Sequence, residues 1–145
     1  MRDVQLGDEA AWSSLYAGYR AFYFLGEDAR AVATTWSWLI GHDHGLHGLV
    51  AVDASGSLVG LANLRLFARP SIGRLGLYLD DLFTDPASRG VGVGGLLLDA
   101  SAALAIAEDA VIVRWITAPD NAVARRLYDS RAAATPWVTY DLRPV

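Results

Sequence analysis

Four glycines fall within six residues at Gly90-Val91-Gly92-Val93-Gly94-Gly95, between an apolar run that ends near Thr84 and a helix-like stretch that opens Leu96-Leu97-Leu98. Glycine reaches left-handed backbone at little cost and lets the main chain approach a ligand closely. A helix N-terminus carries unpaired N–H groups and partial positive charge, so a strand, a glycine turn and a helix in succession favour a bound pyrophosphate. Arg89 at the entrance adds a planar cation with several donors. Three arrangements share this pattern: a dinucleotide-binding turn, a plain tight helix start, and a coenzyme A pyrophosphate loop. The first places its glycines directly after the first strand of a βαβ unit, with an acid closing the next strand. Here Pro86-Ala87-Ser88-Arg89 intervene, and the next strand-like run ends Trp115-Ile116-Thr117.

The rest of the chain falls into alternating runs. Asp8 is placed to cap a helix by accepting from the exposed amides of the next turn. Apolar residues then recur at helical spacing, at Trp12, Leu15, Tyr16, Tyr19, Phe22 and Tyr23. A second helix is predicted over residues 29–40, with Val32, Trp36, Leu39 and Ile40 inward and Gly41 as its stop. Short apolar runs at 48–52 and 58–66 flank the turn sequence Asp53-Ala54-Ser55-Gly56. A third strand is predicted at 74–84, after the break at Arg69-Pro70-Ser71. Beyond it the pattern predicts a helix at 92–108, a strand at 111–117, a helix at 121–131 and a strand at 137–142. This order predicts an α/β chain with a mixed sheet of about five to seven strands and helices on its faces. A length of 145 residues suits one domain, and no repeat, linker or compositional break divides it.

Composition removes several chemistries. Without cysteine there is no disulfide framework, thiolate nucleophile or cysteine-ligated metal centre. All 12 basic residues are arginine, which excludes a Schiff-base lysine, pyridoxal phosphate attachment and the lysine of a Walker-type loop. A net charge of −4 argues against a general nucleic-acid surface. No apolar run approaches the roughly 20 residues of a membrane helix, and the first residues lack the apolar centre of a signal peptide. A soluble cytoplasmic protein is expected. His42, His44 and His47 stand between glycines and read as a solvated loop, with no metal expected.

Two motifs in order carry a family resemblance. Arg89-Gly90-Val91-Gly92-Val93-Gly94 matches the Arg/Gln-x-x-Gly-x-Gly/Ala signature of the GNAT superfamily of acetyl-CoA-dependent N-acetyltransferases. The preceding Asp80-Asp81-Leu82-Phe83 looks like the corresponding strand of the diamine and histone-type branch. Downstream, Ala118-Pro119-Asp120-Asn121-Ala122 leads into Ala124-Arg125-Arg126-Leu127-Tyr128, similar to the family's asparagine and tyrosine segment. The opening aromatic helix and the closing Trp137-Val138-Thr139-Tyr140 also resemble it, so the likeness spans nearly the whole chain. It implies a single domain over 1–145 with a mostly antiparallel mixed sheet whose central strand pair splays.

For function, the resemblance implies transfer of an acetyl group from acetyl-CoA to a primary amine by direct attack, with no covalent enzyme intermediate. Leu82, Phe83 and Thr84 would bind the pantetheine arm and the acetyl group, with one main-chain N–H pointing at the acetyl oxygen. Arg89, Gly90, Val91, Gly92, Val93, Gly94 and Gly95 would hold the pyrophosphate, and Asn121 would hydrogen-bond the pantetheine side. Tyr128 stands where the family places its general acid, and a phenol with a pKa of about 10 can protonate a leaving thiolate. An inward helix aromatic is the alternative reading of that residue. Asp80 is the candidate base, although an aspartate of ordinary pKa, about 3.9, accepts poorly unless burial raises it or water relays the proton. The family more often carries glutamate there, and the shorter side chain favours the relay. Asp81 would attract a cationic acceptor; a hydrogen-bonded strand end is the plainer alternative for the pair. One edge of the first helix's aromatic face would line the acceptor pocket. The acid pair points to a small polyamine-like or amino-sugar acceptor, with a protein lysine or N-terminus second. A domain that holds acyl-CoA without turnover is the rival from another class. Related enzymes often dimerise, and a homodimer is expected.

Overall fold

Five strands form one sheet in chain order: β1 (Arg2–Asp3), β2 (Leu46–Val52), β3 (Leu58–Arg69), β4 (Arg74–Thr84) and β5 (Ala110–Arg114). The computed structural model describes residues 1–144, which cluster into two units, one of residues 1–115 and one from Ile116 onward. The sheet belongs to the first. Its first three pairings are antiparallel and β4–β5 is parallel. A parallel neighbour requires a crossover, and α3 (Val93–Ala107) supplies it.

The β2–β3 hairpin closes on the predicted turn. Asp53 Oδ1 accepts from the Ser55 and Ser57 N–H groups at 2.8 and 3.0 Å, and Gly56 takes a φ of 87° that other residues resist. Helices α1 (Glu9–Phe22) and α2 (Ala29–Gly41) cover one face of the sheet. There Trp12, Leu15, Tyr16, Trp36 and Leu39 pack on Val50, Leu61 and Phe83. Successive strand residues point to opposite faces, so Gly60, next to Leu61, faces the other layer. A Cβ on Gly60 would stand 3.0 and 3.1 Å from Val93 and Leu97 of α3. The sheet is therefore sandwiched between α1/α2 and α3.

Several expectations need correction. Strand β1 was not expected, because two residues carry no periodicity; it exists through pairing with Leu49 and Val50. Asp8 does not cap α1, since its carboxylate instead accepts from Arg2 at 2.6 and 2.8 Å and from the Gln5 N–H at 2.8 Å. Helix α2 runs through Gly41 and ends on His42, which takes the left-handed conformation at φ 52°. His47 lies inside β2 rather than in a loop. Strand β5 stops at Arg114, short of the predicted residue 117.

In the second unit, α4 (Ala122–Asp129) is shorter than predicted at both ends. Residues 137–142 form no strand, and Trp137, Tyr140 and Leu142 are 80, 88 and 95% exposed. Aromatic and β-branched residues favour strands only where a hydrogen-bonding neighbour exists, and among the described residues this segment has none. Among the described residues no helix is long and apolar enough to cross a membrane.

Candidate active site

The register of β3 against β4 pairs Asn63 with Asp81 and Leu64 with Leu79, which leaves Asp80 as an extra residue on β4. Such a bulge bends the strand and resets its alternation. Before it, Leu77 and Leu79 pair with Leu66 and Leu64 and share the α3 face. After it, Asp81 and Phe83 pair with Asn63 and Leu61 on the α1/α2 face. The bulge thus turns both carboxylates toward the residues of β3 that face α1 and α2.

The two acids meet different partners. Asp80 accepts from Arg65 Nε, with its oxygens at 3.2 and 3.0 Å, and the Arg65 guanidinium lies 4.7 Å from the centre of the Tyr78 ring. Desolvation pushes the Asp80 carboxyl above its ordinary pKa; Arg65 opposes that rise and the Asp81 charge adds to it. Asp81 accepts from the neutral Asn63 Nδ2 at 2.9 Å. Asn63 is fully buried, and its Oδ1 has no hydrogen-bond partner among the described residues. Across from Asp81, Tyr16 and Tyr19 of α1 and Tyr23 at its C-cap all titrate above the ordinary phenol range, first through burial and then through the Asp81 charge. The Tyr16 and Tyr19 rings stack at 5.6 Å, and Tyr19 meets Phe83 edge-on at 6.4 Å.

Beyond the bulge, β4 loses its parallel neighbour. The last β4–β5 pair is Tyr78 with Arg114, so Leu82, Phe83 and Thr84 run on without β5 beside them. This is the splay that the family resemblance implies. A groove of about 260 Å³ opens next to the end of the strand, lined by Leu15, Gly18, Phe22, Phe83, Pro86 and Arg89. Gly18 lets α1 pass close to the strand there, since a Cβ would crowd the tip of the Phe83 ring at 3.0 Å.

The glycine loop closes the same unit. Asp85 Oδ1 accepts from the Ala87 N–H at 2.8 Å and forms the short turn Pro86–Ser88. Gly90 and Gly92 take φ values of 80° and 91°. As the N-cap of α3, Gly92 offers no side chain to the first turn, and the helical ladder begins with Leu96 N–H donating to Gly92 O at 3.1 Å. The N–H groups of Val93, Gly94 and Gly95 precede that first bond and so have no partner in the helical ladder; Val93 and Gly94 are half-buried and Gly95 is buried. Arg89 Nε donates to Thr84 O at 3.1 Å, and its guanidinium stands 5.7 and 5.5 Å from the Phe22 and Phe83 rings. Its two Nη groups have no hydrogen-bond partner among the described residues. These features fit a diphosphate.

In the second unit, Asn121 is the N-cap of α4. Its Oδ1 accepts from the Ala124 N–H at 3.4 Å and its Nδ2 donates to Thr117 Oγ1 at 3.3 Å. Tyr128 is half-buried in the last turn of α4, on nearly the same side of the helix as Asn121, seven residues earlier. Elsewhere, the His42 and His47 rings lie 5.4 Å apart and His44 packs on Trp38. Among the described residues no group of three or more histidines and acids could hold a metal ion. Asn63 and Arg65 escaped the sequence reading. The signal available for Asn63 was a lone amide inside an otherwise apolar strand run.

Residues 12–132 match the acetyltransferase (GNAT) family. The chain belongs to that family. It is 32% identical over 131 residues to an uncharacterized N-acetyltransferase, YhfO, of Bacillus subtilis strain 168, covering 89% of this chain and 85% of the relative. Among solved structures, the ribosomal-protein-alanine N-acetyltransferase of Brucella melitensis biovar Abortus 2308 superposes with a TM-score of 0.79 at 23% identity, covering 98% and 97% of the two chains. The aminoglycoside N-acetyltransferase AAC(6')-Iy, in complex with the bisubstrate analogue CoA-S-monomethyl-acetylneamine, superposes with a TM-score of 0.85 at 17% identity, covering 99% and 97%. This GNAT protein is an acyltransferase with the α/β fold of its family.

Proposed function

We propose that this GNAT enzyme transfers an acetyl group from acetyl-CoA to the primary amine of a small polyamine-like or amino-sugar acceptor. One observation carries the reading: the β4 bulge sets Asp80 and Asp81 on one sheet face, in the unit that also holds the open glycine loop. The complex of AAC(6')-Iy with its CoA-linked acetylneamine supports the same pairing of substrates.

The roles of the first unit's residues are argued from their local chemistry, and those of Asn121 and Tyr128 from the family resemblance. The Val93, Gly94 and Gly95 amides and the Arg89 Nη groups bind the coenzyme A diphosphate. The stretch Leu82, Phe83 and Thr84, beyond the reach of β5, offers main-chain groups to the pantetheine arm and one N–H to the acetyl oxygen. Asp81 binds the acceptor as an ammonium. Asp80 receives a proton from it, directly or through water, and the amine nitrogen then bonds to the thioester carbonyl carbon. The carbon–sulfur bond breaks, the Tyr128 hydroxyl protonates the departing thiolate, and the second proton of the amine nitrogen passes through solvent to restore the phenol, giving an acetamide and free coenzyme A. Asn121 contributes a hydrogen bond to the pantetheine side in addition to capping α4.

The test follows thiol release from acetyl-CoA across a panel of polyamines, amino sugars and peptide amines. At least one small amine accelerates release in the wild type. Tyr128→Phe lowers kcat about 100-fold, the lower end for a lost general acid, while acetyl-CoA affinity stays the same. Unchanged kcat removes the tyrosine from the reaction, and tight acetyl-CoA binding with no responsive amine leaves a binding module instead.

A further inference from the structure

We propose Arg65 as a positioning residue for the reaction: it clamps the Asp80 carboxylate on the bulge and leaves Asp81 as the seat of the ammonium. The inference rests on the acetyl-transfer reading above. Its basis is a difference between neighbours. Arg65 and Tyr78 are register partners on β3 and β4, and the guanidinium lies over the phenol ring at 4.7 Å. That contact fixes the direction from which Nε reaches both Asp80 oxygens, at 3.2 and 3.0 Å. An extra residue in a bulge has no ladder partner to orient it, so at Asp80 the side-chain clamp does what pairing does elsewhere.

The charged groups around the pair are few. Asp81 is next in the chain and raises the cost of a second negative charge. Arg114 on β5, the register partner of Tyr78, turns instead to the Phe67 ring at 5.8 Å. Tyr16 and Tyr19 on α1 and Tyr23 at its C-cap respond to Asp81, and Arg20 on α1 acts on Tyr16 in the opposite sense. Arg65 is thus the cation that compensates Asp80, while Asp81 has a neutral amide and no ion pair among the described residues. An incoming ammonium is drawn to the uncompensated carboxylate. Asp80 stays ionised and aimed, ready for the proton that the ammonium must lose.

The sign follows from the charge removed. Asp80 acts only as the carboxylate, and a neutral residue at 65 makes that form harder to keep, so a higher pH is needed to reach it. In Arg65→Gln, the Asp80 midpoint in carboxyl-carbon NMR of the coenzyme-free protein moves up by about 0.5–1 pH unit. The acid limb of kcat/KM for the best amine of the panel moves the same way by a similar amount. Arg65→Met keeps apolar contact with the Tyr78 ring and gives the same shifts. Arg65 is 42% exposed at its side chain, so neither change disturbs the core. A midpoint that stays put overturns the clamp. A midpoint that moves while the acid limb does not makes the ion pair merely structural, and also overturns it. Failure of every amine to accept acetyl removes the reaction itself, and the NMR titration reports that outcome separately.

Discussion

Asp80 and Asp81 are adjacent and chemically identical, and their surroundings divide them. Asp81 accepts from a neutral amide at 2.9 Å, whereas Asp80 faces a guanidinium. A carboxylate seated against Asn63 and a face of tyrosines is half-desolvated and lacks a counter-ion, which suits it to an ammonium. Hydrogen bonds to a charged group contribute about 1.5–3 kcal/mol, so Asp81→Asn raises KM for the amine by roughly tenfold or more. The acetyl-CoA KM stays within a factor of two, as steady-state kinetics with each substrate varied in turn will show. Equal increases in both constants would assign Asp81 to the fold rather than to the acceptor. The acid pair was legible in the sequence because it interrupts an apolar strand next to the glycine loop. Asn63 and Arg65 were not, since they lie 15 or more residues away. Only the register brings them to the acids, and that register contains a one-residue insertion that hydrophobic alternation cannot reveal.

At the level of elements, the glycine loop was readable because its residues answer a backbone demand. Gly92 holds a φ of 91°, with no heavy atom within 4 Å of where a Cβ would stand. The constraint is therefore conformational, and any side chain there adds about 1–2 kcal/mol of strain. Gly92→Ala and Gly92→Asp separate this strain from electrostatics. Both lower the midpoint of urea unfolding. Only Gly92→Asp also weakens acetyl-CoA binding, by about tenfold, because it places a negative charge and a new acceptor over the amides proposed above for the diphosphate. Equal affinities in titration calorimetry would move the diphosphate away from this loop. Helix ends were less legible. His42 rather than Gly41 takes the left-handed cap of α2, because the tight entry into β2, which begins at Leu46, places the reversal one residue later. Local propensity marks that a helix stops, and the next element decides where.

Across the whole chain, the aromatic residues divide the molecule. Trp12 and Trp36 sit in the α1/α2 layer of the first unit with ring centres 5.4 Å apart, and both are buried. Trp137, in the second unit, is 80% exposed. Its neighbours Val138, Thr139 and Tyr140 have the composition of a strand, so sequence pattern and structure disagree there more than anywhere else in the chain. The disagreement is physical: a strand is a property of a pair, and composition describes only one member. Iodide quenching of tryptophan emission tests which description holds in solution. With Trp137 open to water, Trp137→Phe removes the largest share of the quenchable emission and leaves the contributions of Trp38, which is 38% exposed, and of the half-buried Trp115. If quenching is the same in the variant and the wild type, the 137 side chain is covered, and the segment has found the hydrogen-bonding neighbour that its composition calls for.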